Sequence, residues 1–336
     1  MIVDRERIIL KIFHDYYVRN MSQSEIASRH FISRQKVQRF LEQGRSENLV
    51  EVRIRFPERI HGAVESELED RYGLLEAIVA SADPEHDFAM ARRDIAEFAA
   101  DYFLRVVGDG MIVSVCWSTF ISGMVDQIVR KVDATHGGPG ALELVQSFGM
   151  VAGGEQDLRI FDAPRRLATA LGAKLHLVMA PGIAASADAH RALMEDPAVA
   201  GVLALARKSD AAFLGIGAVD GESNLVRAAR AIPGLLGKLK KRGAVGDMNG
   251  RFFDRHGNPV ESEIDERLIG LTLDEVRELP LVVGVSGGPG KYEALRAALE
   301  GGLVKTIIID IDNARRLLAE PKGGSRPPAK RKSRSG

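Results

Sequence analysis

Seven short apolar runs fill the chain from residue 74 onward, and they constrain its fold more than any other feature. They span 74–81, 111–116, 141–147, 174–179, 210–216, 281–286 and 305–310, and they are rich in Val, Ile, Leu and Ala. Runs of this kind read as strands buried on both faces. Between them lie helical patterns at 87–107, 118–131, 187–208, 226–240, 291–300 and 312–319. Strands separated by helices predict a mainly parallel sheet covered on both sides. Glycines cluster where the runs end: Gly149, Gly153 and Gly154, then Gly215 and Gly217, then Gly287, Gly288 and Gly290. Those strand ends are where open parallel sheets bind ligands.

The first 57 residues have a different texture. Ile8, Ile9, Ile12, Phe13 and Tyr16 recur at helical spacing. After Met21, Ser22 and Glu25 form a capping box, in which each side chain satisfies a free amide at a helix start. Ile26 and Ala27 face inward from that short helix, and His30-Phe31-Ile32 reads as a tight connection. Ser33 caps a third helix from Arg34 to about Glu47. Asn48 tolerates the left-handed region and ends it. Leu49 to Ile54 alternates apolar and polar residues as a strand does, and Pro57 closes the unit. The expected organisation is an all-α helix-turn-helix domain with a short strand over 1–57, then a linker helix over 58–73 with Val64 and Leu68 on one face. An α/β domain over 74–320 follows, and then a tail over 321–336. Apart from Ala329, the tail is Pro, Gly, Ser, Lys and Arg, which cannot build a core, so it is expected to be disordered.

The chain holds 46 Lys and Arg against 46 Asp and Glu. That balance excludes a protein basic throughout, but it conceals segregation. Residues 1–60 carry twelve basic and eight acidic side chains, 321–336 carry six basic and no acidic ones, and 61–320 carry 28 against 38. Basic ends on an acidic body suit a partner that meets only the ends, and nucleic acid is the commonest such partner. The alternative is surface charge that wanders without purpose. The single cysteine, Cys116, excludes a disulfide framework and a multi-cysteine metal site. The eight histidines form no His-x-x-x-His pair, so no zinc site is expected, and no cofactor. No run approaches the ~18 apolar residues of a membrane span, and the N-terminus lacks the apolar core of a signal peptide. A cytoplasmic protein without membrane contact is expected.

Ser22 to Leu41 has the dimensions of a helix-turn-helix. Its second helix bears Arg34, Gln35, Lys36, Gln38 and Arg39 against an apolar side of Val37, Phe40 and Leu41. Arg and Gln near the start of such a helix can make bidentate contacts to base edges in the major groove. Ser22, Ser24, Ser33 and the backbone amides at the helix starts suit phosphates, and Gln23 is a further expected DNA-binding residue. The competing reading is an ordinary three-helix bundle with a solvated charged helix. The order Tyr16-Tyr17, Ser22-Gln23-Ser24-Glu25-Ile26-Ala27, Ile32-Ser33-Arg34 through Leu41, and Leu49 to Ile54 resembles the DNA-binding domain of the SorC family of bacterial sugar-responsive regulators. Ser22 stands where that family often has Thr, and Asn48 where it often has Gly. Gly44 stands where it has Ala, which is expected to weaken the helix by ~1 kcal/mol.

The second half is similar to the SorC effector domain. The matching segments are Leu214 to Gly217, Gly243 to Asp247, Arg251 to Asp254 with Gly257 and Pro259, Ile269 to Leu271, Val283 to Gly288 with Lys291, Leu295 to Leu299 with Gly301-Gly302, and Ile309-Asp310 with Ala314. The resemblance implies a Rossmann-like α/β fold related to sugar-phosphate isomerases and deaminases, a sugar-phosphate effector, and a tetramer. The residues themselves also suit a phosphate. Gly287-Gly288 follows a buried run and precedes a helix, so backbone amides there can approach an anion. Lys291 is either a point charge for that ligand or a solvent-exposed lysine. Asp247 is either a sugar-hydroxyl acceptor, as the resemblance implies, or a turn residue. Ser118 and Thr119 open a helix after 111–116, and Gln146 closes the next run. The family commonly has Gly-Trp-Gly-x-Thr where this chain has Val115-Cys116-Trp117-Ser118-Thr119, so either Trp117 takes the second glycine's place or one residue is deleted. The expected effector residues are Ser118, Thr119, Gln146, Gly217, Asp247, Gly287, Gly288 and Lys291. Cys116 reads as a small buried residue, and Asp254 to Pro259 as a tight turn.

Two functions compete. A regulator would bind operator DNA as a homodimer or homotetramer and respond to a phosphorylated sugar or polyol. An isomerase- or deaminase-like enzyme is the alternative, because Gly215 to Gly221 resembles the deaminases' glycine-rich loop. That loop continues with a catalytic histidine where this chain has Glu222, and no acid–base pair replaces it. No catalytic residue is assigned.

Overall fold

The computed structural model describes residues 2–47, 49, 60–81, 88–116, 118–135, 141–150, 158–220, 234–262 and 264–320. The expected strand after Leu49, the stop at Asn48, Trp117, the helical stretch 226–233, Glu222 and the tail 321–336 lie outside them. The chain divides into two compact units, Met1–Phe56 and Pro57–Gly336.

In the first unit, α1 (Ile2–Phe13) runs into a π-helical turn, His14–Val18, followed by α2 (Gln23–Arg29) and α3 (Arg34–Ser46). Ile9, Ile12 and Phe13 from α1, Ile26 and Ala27 from α2, and Val37, Phe40 and Leu41 from α3 form one core. The spacing of three and four residues brings each set to one helix face. Gly44 has a role that helix propensity does not reveal. A methyl there would overlap the Phe13 ring, so the glycine makes room for a core aromatic.

In the second unit, α4 (Gly62–Tyr72) precedes β1 (Glu76–Ala80), and Gly73 ends the helix in the left-handed region with φ 68°. The backbone amides of Ala77 and Val79 donate to the carboxylates of Glu69 and Glu65 on α4, both at 2.9 Å. These bonds satisfy the free edge of β1 and seat α4 on the sheet. Then come α5 (Phe88–Val106), β2 (Ile112–Val115), α6 (Thr119–Thr135), β3 (Glu143–Gln146), α7 (Leu158–Leu171), β4 (Lys174–His176), α8 (Ala187–Glu195), α9 (Pro197–Ala206) and β5 (Ala211–Ala218). A helix at Leu235–Lys241, the hairpin β6 (Ala244–Met248) and β7 (Arg251–Asp254), a helix at Leu273–Glu278, β8 (Leu281–Val285), a helix at Tyr292–Glu300, β9 (Thr306–Asp310) and a helix at Ile311–Ala319 complete it.

The strands order as β1-β9-β8-β5-β2-β3-β4, every neighbouring pair parallel. All seven apolar runs are strands of this sheet. From β2 the chain moves outward through β3 and β4, then returns to place β5 on the other side of β2. That reversal makes the carboxyl ends of β2 and β5 the switch point at which such sheets hold a crevice for ligands. The β6–β7 hairpin continues β5 antiparallel at that end, with Gly217 opposite Asp247.

Two local readings change. The pattern at 187–208 is two helices, because Asp196 caps a new one by accepting from the Ala198 and Val199 amides, and Pro197 takes its first position. The helices α7 and Leu273–Glu278 had no counterpart in the apolar pattern. α7 carries an internal proline, Pro164, and the second helix is signalled only by the Thr272–Glu275 capping box. Among the described residues, no helix is long and apolar enough to cross a membrane.

Candidate functional site

The first unit builds a charged helix on a rigid turn. The Ser22 hydroxyl accepts from the Glu25 amide at 3.3 Å while the Ser22 amide donates to the Glu25 carboxylate at 2.7 Å. These bonds hold the Glu25 carboxyl below its ordinary range. Ser33 Oγ accepts from the Lys36 amide at 3.2 Å and starts α3. Arg34, Gln35, Lys36, Gln38 and Arg39 are all exposed, and the first turn of α3 has no acidic residue. Gln38 donates to Glu42 at 3.0 Å, and the Lys36 ammonium lies 5.8 Å from the Phe40 ring centre. Among the described residues, no carboxylate pairs with Arg34 or Arg39. Ser22 and Gln23 sit at the start of α2, with Ser22 exposed and Gln23 half-buried.

The turn between α2 and α3 is locked. The Phe31 amide donates to the Ser28 carbonyl at 3.4 Å and the Ile32 amide to the Ala27 carbonyl at 3.0 Å. These are the paired bonds of a Schellman motif, and they place Phe31 at its left-handed position, with φ 53°. His30 Nε2 lies 2.8 Å from Oδ2 of the buried Asp15 on the π-helical turn. Arg19 and Arg29 approach the same carboxylate at 3.0 and 3.4 Å. Burial pushes the Asp15 carboxyl up, but the His30 hydrogen bond and the two arginines outweigh it, so the carboxyl is held below its ordinary value. Asp15 was not read as a site residue, and its only sequence signal is an acid set between Phe13 and Tyr16 of the apolar pattern.

In the second unit, the candidate residues divide between the crevice and its flanks. Ser118 precedes α6, and its Oγ accepts from the Ile121 amide at 3.1 Å, with Thr119 as the first helical residue. A side chain at Gly215 would collide with Ser118, so the glycine lets the start of α6 lie against β5. A side chain at Gly217 would collide with the Asp247 carboxylate. The structure thus gathers Ser118, Gly217 and Asp247 around the end of β5. Cys116 Sγ accepts from the Gly215 amide at 3.4 Å, and burial together with the nearby Asp247 charge pushes its thiol up to about 12. A thiol in that state is not a nucleophile.

On one flank, the Ser286 hydroxyl donates to the Ile216 carbonyl at 2.8 Å, tying the end of β8 to β5. Gly287 and Gly288 follow. The Gly288 amide is engaged internally, donating to the Asp310 carboxylate at 2.7 Å. The expectation that this amide is free to meet an anion is therefore corrected, since a buried carboxylate at the end of β9 has taken it. Lys291 is half-buried and precedes the helix Tyr292–Glu300, which packs Ala294 against Gly246, the neighbour of Asp247. On the other flank, Gln146 is buried beside Val115, and its Oε1 accepts from the Val178 amide at 3.2 Å. Gln146 is thus a brace between β3 and the chain after β4.

Asn249 was missed. It is buried with φ 50°, and with Gly250 at φ 77° it makes the tight β6–β7 turn. The Ser147 hydroxyl donates to its Oδ1 at 2.6 Å, and its Nδ2 donates to the Ser147 and Leu271 carbonyls at 3.3 and 3.4 Å. This lock sets the hairpin that presents Asp247. The dipeptide Asn-Gly was the available signal. The turn at Asp254 to Pro259 forms as read, with Asp254 Oδ1 accepting from the His256 and Asn258 amides at 2.8 and 2.9 Å.

Comparison with known proteins adds four findings. Residues 61–319 match the family described as "Putative sugar-binding domain". The chain is 29% identical over 315 residues to the deoxyribonucleoside regulator of Bacillus subtilis, covering 94% of this chain and 98% of that one. It is 29% identical over 319 residues to the transcriptional regulator LsrR of Klebsiella pneumoniae, covering 94% and 93%. Among solved structures, the full-length sorbitol operon regulator SorC from Klebsiella pneumoniae superposes with a TM-score of 0.70 at 23% identity, over 93% of this chain and 98% of that one.

Proposed function

The chain belongs to the sugar-binding-domain family of transcriptional regulators, and from that premise we propose that it is a sugar-responsive, DNA-binding regulator of the SorC type and not an enzyme. What supports this reading is the combination in one chain of exposed Arg34, Gln35, Lys36, Gln38 and Arg39 on α3, after a locked α2–α3 turn, and a sugar-binding domain. α3 enters the major groove of an operator, with Arg34, Gln35, Gln38 and Arg39 at base edges. Ser22, Gln23, Ser33 and Lys36 meet phosphates.

The effector is a phosphorylated sugar or polyol bound at the crevice. Asp247 accepts from its hydroxyls, Gly217 leaves room for that carboxylate, and Ser118, Thr119 and Lys291 face the phosphate, while Gln146, Gly287 and Gly288 shape the walls. A single helix-turn-helix buries only about 600–1,000 Å² on DNA, so a homodimer or homotetramer reading repeated half-sites supplies the rest. The place of action is the cytoplasm, where the DNA is. The effector must bind the DNA-competent and DNA-incompetent arrangements with different affinity, or it shifts nothing.

A thermal-shift screen of the full chain against phosphorylated sugars and polyols tests the effector half. At a hundredfold excess over Kd, a true effector adds about 2.7 kcal/mol of stability. The DNA half is tested by Arg34→Ala combined with Arg39→Ala, which is expected to abolish binding to a duplex that the wild-type chain selects from a random pool. Retained affinity in that variant sinks the DNA assignment.

A further inference from the structure

Phe31 is 95% exposed and holds a φ of 53°. For a bulky residue that conformation is a genuine outlier, whereas glycine or asparagine adopts it readily. The surrounding turn imposes it. The Schellman bonds fix the backbone, His30 on one side is held by Asp15, and Ile32 on the other packs on the unit's core. The ring therefore strains the turn and adds nothing to the core. Strain of this kind persists at binding sites, where a partner supplies the contact the chain itself lacks. Two residues further on, Ser33 begins the helix that exposes Arg34, Gln35 and Lys36 with no acid in its first turn. That surface is matched to a polyanion.

We propose that Phe31 is a DNA-contacting residue, its ring lying against the deoxyribose faces of the groove wall beside the start of α3. The inference rests on the DNA-binding reading above. Apolar contact with sugar releases no counterion and reads no base. Its loss weakens binding to every duplex alike and leaves the salt dependence unchanged.

The test uses full-length Phe31→Gly, Phe31→Asn and the Arg34→Ala/Arg39→Ala double variant. Each is titrated by fluorescence anisotropy at several salt concentrations against the self-selected duplex and an unrelated one, with thermal unfolding and oligomeric state measured alongside. Both Phe31 variants suit the left-handed turn, so they are expected to unfold no earlier than wild type. They are expected to bind both duplexes about tenfold more weakly with an unchanged salt slope. The arginine variant is expected to lose both affinity and slope. Unchanged affinity in both Phe31 variants, beside a weakened arginine variant, overturns the contact and leaves the DNA-binding reading standing. A loss confined to the self-selected duplex overturns the sugar contact in favour of base readout. A changed oligomeric state with intact DNA affinity assigns the ring to a second copy of the chain and also overturns it. No change in any variant removes the DNA-binding reading itself.

Discussion

Gly217 and Asp247 face each other across the β5–β6 pair, and the absent side chain of one makes space for the carboxylate of the other. Gly217→Ala is therefore expected to displace Asp247 and abolish the thermal shift produced by the effector. A shift equal to wild type removes Asp247 from the site. The same logic governs Gly44 in the first unit. Helix propensity predicts that Gly44→Ala gains ~1 kcal/mol. The overlap with the buried Phe13 ring costs about 1–3 kcal/mol by overpacking, and this term is expected to win. Chemical denaturation of the two proteins decides the sign. The sequence alone could place Gly44 on a helix, but the ring that meets it comes from α1, thirty-one residues earlier. Only the folded unit shows the contact.

The π-helical turn and the α2–α3 turn are joined through one buried carboxylate, Asp15. Its carboxyl is held below the ordinary value of 3.8, so the folded state binds its proton less readily than the unfolded chain does. The stability this contributes is fully present above about pH 4 and is lost as the pH falls through the lowered folded value. Asp15→Asn is expected to destabilise the first unit by about 2 kcal/mol at pH 7. Its stability curve is expected to converge on that of the wild type below pH 4, and a constant gap across that range contradicts the electrostatic account. The same scale shows what the sequence could reveal. Strands β1 to β5, β8 and β9 were legible because buried apolar runs fix them locally. The β6–β7 hairpin was legible in principle from Asn249-Gly250 and was overlooked. The Asp310 carboxylate that takes the Gly288 amide was not legible, because 22 residues separate the partners and no local pattern links a strand end to the next strand's glycine turn. Of the candidate effector residues, Ser118, Gly217 and Asp247 lie around the end of β5, while Gln146 and Gly288 have internal partners.

For the whole molecule, the net charge of zero hides a basic beginning, an acidic body and a basic end. If the six basic side chains of 321–336 meet phosphates, deleting that tail flattens the salt dependence of DNA binding, and an unchanged slope leaves it as a solubilising end. The family match covers the sugar-binding region, and alignment to the two regulators runs over 94% of the chain, so the two units are parts of one device. The proposed function requires coupling between them, in which a ligand bound at the carboxyl ends of β2 and β5 alters what α3 does on DNA. The most direct measurement is the affinity of the full chain for its self-selected duplex, by fluorescence anisotropy, with and without each member of a panel of phosphorylated sugars and polyols. Coupling is expected to show as a change of about tenfold or more in affinity with at least one of them. An affinity that none of them alters contradicts it.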